Sequence, residues 1–462
     1  MESLAMLTGI VPINAQKFDL NEFIAQTTRR TTTTTSIDPD VYKLAESIVV
    51  DKLTNPTGKK EEIENHNQLL QNCAAGDPSA QIQVKAMIRT ILTDEKLVPA
   101  ELIDMYAKEI YIRNYGLGAI DDLDNEAVNE IWVNGAESVW IEKGGFKQKV
   151  DVTFESDEEV IRVIRQMIKF DNETINKSNP IVECRRLNGD RLTCIIPPAG
   201  KRPYINIRKF NAFDPTTENL IKEGTVTPEM VDYIKTLVRG RANIIVIGET
   251  GSGKTSTLKW MIDFIDPKLR IGTIESSFEL KLDEKYGDTR NIFSYEENER
   301  LGITLLDLFK TCLRSTPDII IMGEARGEEA DELIKAMRRG HPGSIGTIHS
   351  SAPDMVVDDI AAMIEEDGRT RDPVSLRRRI AGAINIIVQM RRFEDGKRRM
   401  TKITEVRSDP ITGEYDVVDI FSYEVDPDDP SKGEFVKLNN ISDRLKRHLN
   451  YYGIPANVLD KM

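Results

Sequence analysis

The residues best suited to chemistry are Gly248, Glu249, Thr250, Gly251, Ser252, Gly253, Lys254 and Thr255, followed by Ser256. Their G-x-x-x-x-G-K-[ST] spacing, after the apolar run NIIVI and before helix-forming residues, is that of a phosphate loop. Glycines let such a backbone wrap the phosphates of a nucleotide, and amides at the helix N-terminus point at the anion. Lys254 reaches the β/γ oxygens and the Thr255 hydroxyl can ligate Mg²⁺. A conventional second motif is an apolar strand ending in Asp, but Pro317–Glu324 (PDIIIMGE) carries its Asp at the other end. At about 3.3 Å per residue, Asp318 lies roughly 20 Å from Glu324 along the strand. Glu324 is therefore expected beside the phosphates, supporting Mg²⁺ through water and polarising an attacking water. The plainer alternative is a cap for the next helix.

Another strand, Ile271–Glu275, lies between these two motifs. An inserted strand followed by a strand-end Glu is the arrangement of an ATPase rather than a small kinase or GTPase, and the chain has no N-K-x-D guanine reader. ATP with Mg²⁺ is thus the expected ligand pair. Glu275 and Glu279, in GTIESSFEL, place carboxylates at the same edge, for water activation, for Mg²⁺ positioning, or as ordinary acidic residues of an exposed loop. GHPGSIGTIHSS holds two of the four histidines. His341 and His349 bracket one strand and so sit at its opposite ends, which argues against a metal pair or a catalytic dyad. His349, at the carboxyl end, is expected to sense phosphate or touch a neighbouring subunit, and His341 to be a structural or interface residue.

Alternating strands and helices must hold these residues: NIIVI, KTSTLKWMIDFI, IGTIE, DIIIMG, EEADELIKAMRR, SIGTIH and MVVDDIAAMI. Such alternation predicts a mostly parallel sheet with helices on both faces and function at the strands' carboxyl ends. A smaller α/β unit is expected first, over 85–210. It contains strands around Asn134-Gly135, a capping box at Ser156–Glu159, and the alternating strands RRLNGDRLTCII and YINIRKF. Residues 1–84, polar and with a threonine run at 27–35, read as a variable, partly disordered appendage. A linker at 211–226, an ATPase domain at 227–400 and a C-terminal hairpin and helix subdomain at 401–462 complete the expected division. Thr227, Pro228 and Gly240 frame the helix that opens the ATPase domain.

A chain of 462 residues is long enough for roughly three domains of about 150 residues. Its net charge of −14 argues against an extended nucleic-acid footprint, which needs clustered Lys and Arg. The basic cluster MRRFEDGKRRMTK reads as a solvated hairpin face, lacking interleaved aromatic platforms. Four scattered cysteines give no zinc or disulfide pattern, no apolar run approaches about 18 residues, and the N-terminus has no basic n-region. A cytoplasmic chain that docks on a membrane protein is the expectation.

GETGSGKTSTL, TIESSFEL, LRSTPDIIIMGEARGEEA and GHPGSIGTIHSSAP stand in the order and approximate spacing of the motifs of type II and type IV secretion and type IV pilus ATPases. With GLGAIDDLDNEAVNEIWVNG, RLNGDRLTCIIPPAG and INIRKF, the chain resembles the tight-adherence (Flp) pilus ATPases, the CpaF-like branch, over about 85–460. The resemblance implies a RecA-like P-loop ATPase domain with a mostly parallel sheet, preceded by a smaller α/β (PAS-like) N-terminal domain. It also implies a homohexameric ring on an inner-membrane platform protein, peripheral to the cytoplasmic membrane, powering pilus assembly or secretion. It assigns Arg191 and Arg208 to the nucleotide and gives Arg326 a pairing or state-reporting role. Two departures stand out: Ser276 replaces a second carboxylate, and Arg339 replaces a polar residue before Gly340-His341. The competing readings are a conjugative or effector-secreting type IV ATPase, a nucleotide-sensing ring component with little turnover, and a DNA translocase, which the net charge disfavours.

Overall fold

A computed structural model of the chain describes residues 37–462, except 125–127, 170–172, 210–214, 299–300, 367, 370, 410–411, 413 and 430–431. The threonine run, the start of the expected linker, and Pro410, Ile411 and Gly413 of the C-terminal turn lie outside the described residues. The chain divides into two compact units. The first runs to Asp122 and adds Val152–Asn188 and Cys194–Pro203; the second takes Leu123–Asp151, Gly189–Thr193 and Tyr204–Met462.

The first unit is mainly helical: α1 Pro39–Thr54, α2 Lys60–Ala74, α3 Pro78–Asp94, α4 Ile103–Asn114 and α5 Asp157–Ile168. Much of the segment read as an appendage is therefore folded. Its apolar residues are sparse but share one stripe: Tyr42, Ala45, Val49 and Leu53 of α1 bury against Val84, Ile88 and Leu92 of α3 and Ile110 of α4. Two Asp-Pro pairs start these helices. Asp38 accepts from the Asp40 and Val41 N–H groups and Asp77 from that of Ala80, each with Pro at the first helical position. In α5, Ser156 accepts from the Glu159 N–H, but the Glu159 carboxylate takes the Glu155 N–H, so only half of the expected capping box forms.

The second unit opens with antiparallel strands β1 Glu130–Asn134, β2 Val139–Lys143 and β3 Phe146–Val150. The next two strands are β4 Ile181–Arg185, in the first unit, and β5 Arg191–Ile195, which begins in the second. Strand β6, Tyr204–Arg208, returns beside β1, pairing Arg208 with Glu130.

A larger sheet follows, with strands β7 Ile244–Ile247, β8 Ile271–Glu275, β9 Ile292–Glu296, β10 Ile319–Met322, β11 Ile345–Ile348 and β12 Ile386–Arg392. β13 Arg398–Ser408, β14 Tyr415–Val425 and β15 Gly433–Lys437 extend the same sheet antiparallel, in the order β15-β14-β13-β12-β7-β11-β10-β8-β9. From β12 to β9 every pairing is parallel. Alternate residues feed two cores: Ile244, Val246, Ile319 and Ile321 on one face, Ile245, Ile247, Ile320 and Met322 on the other. That double burial explains the unbroken apolar runs.

Helices α6 Thr217–Lys222, α7 Pro228–Arg239, α8 Lys254–Ile262, α9 Leu282–Tyr286 and α10 Leu305–Arg314 belong to this unit. So do α11 Glu329–Arg339, α12 Val356–Glu365, α13 Pro373–Ala381, α14 Asp443–Tyr451 and α15 Ala456–Leu459. Thr227 caps α7 through the Met230 N–H and Gly240 ends it. The sequence pattern does not reveal β9 or α10. The edge strand β9 is only half-buried, whereas α10 had a readable signal in the reciprocal cap of Thr304 and Asp307. Among the described residues no helix is long and apolar enough to cross a membrane.

Gly272, inside β8, marks how closely this layer packs: a Cβ there would lie 2.6 Å from Phe293 of β9 and 2.7 Å from the Cys312 sulfur of α10. Gly272→Ala should therefore destabilise the protein by about 1–3 kcal/mol through overpacking, read as a lower Tm. An unchanged Tm would contradict the packing described.

Candidate active site

The sheet order turns four separate sequence motifs into neighbours. Strands β7, β11, β10 and β8 are consecutive, and their carboxyl ends lead into the phosphate loop, His349, Glu324 and Glu275 respectively. Neighbouring strands lie about 4.8 Å apart, so the edge becomes a row of functional groups. The hydrogen-bond ladder continues past the strand ends. The Gly323 N–H donates to the Ile274 carbonyl (2.8 Å) and the Ala325 N–H to the Thr347 carbonyl (2.9 Å), fixing Glu324 between β8 and β11.

Glu324 has both carboxylate oxygens engaged. Arg326 Nε donates to Oε2 at 2.8 Å with its Nη2 on the same oxygen, and His349 Nε2 meets Oε1. The other His349 nitrogen, Nδ1, lies 3.4 Å from Lys254 Nζ. Burial works to raise the Glu324 carboxyl, but the hydrogen bond and charge of Arg326, with His349 and Lys254, outweigh it and hold the group below the usual carboxylate range. Helix capping, the plainer job for Glu324, is not its role: α11 has Glu328 at its N-cap position and no side-chain cap, while the Glu329 carboxylate accepts from the Arg326 and Gly327 N–H groups of the preceding turn. His341 sits at the opposite end of β11 with Nδ1 on the Pro317 carbonyl (2.9 Å). Asp318 accepts from the Arg270 N–H far from this edge.

Glu275 and Glu279 play different parts. Glu275 is buried, and its Oε2 accepts the Glu279 and Leu280 N–H groups at 2.8 and 2.9 Å. Burial pushes its carboxyl up to about 7 against those two bonds, with Glu279 and Glu296 adding to the rise. Glu279 instead pairs with Arg191 at 2.6 Å, and Arg191 Nε also donates to Ser277 Oγ at 3.1 Å. Arg208 lies 3.6 Å from Glu130 and its charge reaches Lys254. Both arginines of β5 and β6 thus have carboxylate partners.

The loop itself is chemically suited to phosphate. Lys254 Nζ donates to the Gly248 and Glu249 carbonyls (2.7 and 3.0 Å), filling the concavity with a donor that an anion can take over. The buried Ser252 hydroxyl has no hydrogen-bond partner among the described residues. Gly248 adopts φ +146°, and a Cβ there would strike the Met390 carbonyl of β12. Lys254 is lowered by burial, with Arg208 and Arg326 adding to the effect and Glu324 and Glu249 opposing it.

The sequence reading missed β12 as the loop's second wall. The basic hairpin after it is not a solvated face throughout, because Arg398 Nε donates to the Gly251 carbonyl at 2.9 Å and Arg392 pairs with Glu142 at 3.2 Å. Only the pairing of β12 with β7 reveals this.

Residues 114–405 match the model of the family described as "Type II/IV secretion system protein". The chain belongs to the type II/IV secretion system protein family. An uncharacterised protein of Methanocaldococcus jannaschii is 34% identical to this family member over 235 residues, 49% of this chain and 82% of the relative. The type IV secretion system protein VirB11 of Brucella suis is 28% identical over 319 residues, covering 63% of this chain and 88% of VirB11. Among solved structures, the ATPase DotB of Legionella pneumophila covers 72% of this chain and 82% of its own, with 17% identity and a TM-score of 0.47.

In this secretion-family chain the buried Glu275 gives a pH test. Its carboxyl is raised from 4.5 to about 7, so its contribution to stability is present below about pH 4.5 and is lost as pH rises through 7. A glutamine at 275 can keep an oxygen for both N–H groups while removing the charge. Glu275→Gln should raise Tm relative to the wild type at pH 8, by an amount equivalent to roughly 3 kcal/mol at most, with the difference shrinking toward pH 5. A difference that does not vary with pH would rule out the buried charge as its cause.

Proposed function

We propose that this chain is a cytoplasmic, Mg²⁺-dependent ATP-hydrolysing motor, a homohexameric ring that powers pilus assembly or protein secretion through an inner-membrane platform protein. The observation that carries the reading is the row of Lys254, His349 and Glu324 along one sheet edge beside a complete phosphate loop. Family membership supports the secretion context. The CpaF-like tight-adherence branch is the finer reading. The conjugative or effector branch is the second, favoured by relatives named as type IV secretion proteins.

Each residue's role follows from its place. Lys254 and the loop amides bind the β- and γ-phosphates. The Thr255 hydroxyl and Glu324 would hold Mg²⁺, a hard cation that takes most of its ligands from phosphate and water. Mg²⁺, when bound, neutralises charge on the transferred phosphoryl group. Glu324 is ionised at neutral pH and so can accept a hydrogen bond from the attacking water, which requires one oxygen to be released by Arg326 or His349. Both partners are exposed, and Arg326, the more exposed of the two, is the one assigned to leave. His349, between Glu324 and Lys254, couples the phosphate end of the site to the carboxylate. Arg191 and Arg208 are the arginines that would stabilise transition-state charge once drawn from Glu279 and Glu130.

Glu324→Gln should cut steady phosphate release by about 100-fold or more while nucleotide affinity stays within about threefold. Unimpaired turnover in that variant would sink the motor reading. His349→Ala should impair turnover more than nucleotide binding, and equal loss of both would remove its coupling role.

A further inference from the structure

The phosphate loop has two flanks. On one, β11 and β10 bring His349 and Glu324; on the other, β12 runs parallel to β7 and its hairpin with β13 returns beside the loop. Arg398 comes from that hairpin. Its Nε donates to the Gly251 carbonyl at 2.9 Å, and its Cδ lies 3.1 Å from where a Cβ on Gly253 would sit. Arg392 braces the hairpin through Glu142 and the Gly145 carbonyl.

Two features set Arg398 apart from a packing arginine. It is half-buried, yet among the described residues no carboxylate stands within ion-pair distance of it. Burial, then the like charges of Arg392 and Arg208, push its pKa down, while Glu142 opposes them. Lys254, on the same loop, is lowered by burial and by Arg208 too. Like charges close to a glycine loop favour a polyanion there. The second feature is the atom it holds. A trans peptide points its C=O and N–H in opposite directions. Anchoring the Gly251 carbonyl to Arg398 therefore fixes the Ser252 N–H of the same peptide on the side away from Arg398. There it meets the Glu249 carbonyl at 3.2 Å, a carbonyl that Lys254 Nζ also contacts.

We propose that Arg398 is a positioning residue for nucleotide binding: it locks the Gly251–Ser252 peptide, and with it the loop backbone that would cradle a nucleoside di- or triphosphate, and its charge adds to the attraction. The inference rests on the nucleotide-binding reading above and extends the loop's working set to a hairpin outside its sequence motif.

The test is binding of a fluorescent ADP by the full-length protein, with ATP turnover measured alongside. The variants are Arg398→Gln, Arg398→Lys and, as control, Lys254→Ala. Arg398→Gln should weaken ADP binding about tenfold or more, the scale for losing a charged hydrogen bond, and should raise KM for ATP more than it lowers kcat. Arg398→Lys, which keeps the charge and a donor, should recover most of the affinity. Wild-type affinity in Arg398→Gln overturns the proposal. So does equal weakness of the Lys and Gln variants, which would point to side-chain packing. If the wild type itself fails to bind, or Lys254→Ala binds as well as the wild type, the nucleotide reading falls and this inference with it.

Discussion

Everything at the site depends on the parallel pairing of β7 between β11 and β12. A phosphate loop is only a glycine-rich turn until its walls are supplied, and β7 has a wall on each side. The β11 side brings His349 and, one strand further, Glu324. The β12 side brings Met390 against Gly248 and Arg398 against Gly251. Because every strand from β12 to β9 runs the same way, all their carboxyl ends open on one edge and the groups accumulate there.

The electrostatics of that edge are those of paired charges. Glu324 carries Arg326 and His349, Glu279 carries Arg191, and Glu130 lies against Arg208. Arg191 and Arg208, the arginines expected at the nucleotide, each lie against a carboxylate, while Lys254 is turned onto its own loop carbonyls. Such half-exposed pairs are worth little in stability and exchange readily. Glu275 is different: buried and committed to two backbone N–H groups, it shapes the turn after β8.

The helical unit before the sheets shows how a polar segment can still fold. Four apolar residues of α1 at one-stripe spacing, with Asp-Pro starts at Asp38 and Asp77, suffice once α3 and α4 provide the opposite surface. Average composition hides a stripe, because the hydrophobic effect acts on the face that is buried and not on the mean of the segment.

Local chemistry made part of this protein legible from sequence alone. The loop from Gly248 to Thr255 needs glycines, a lysine and a hydroxyl at set positions, and the strands buried on both faces need unbroken apolar runs, so both were readable without a structure. The opposite placement of His341 and His349 followed from the length of one strand. What tertiary structure decided is which strand lies beside which. No local signal says that β12 neighbours β7, that Arg398 meets Gly251 across 147 positions, or that Glu275 turns to backbone amides while Glu279 takes Arg191. Those outcomes are settled by sheet order and burial, which arise from interactions between distant segments and leave no periodicity in any one of them.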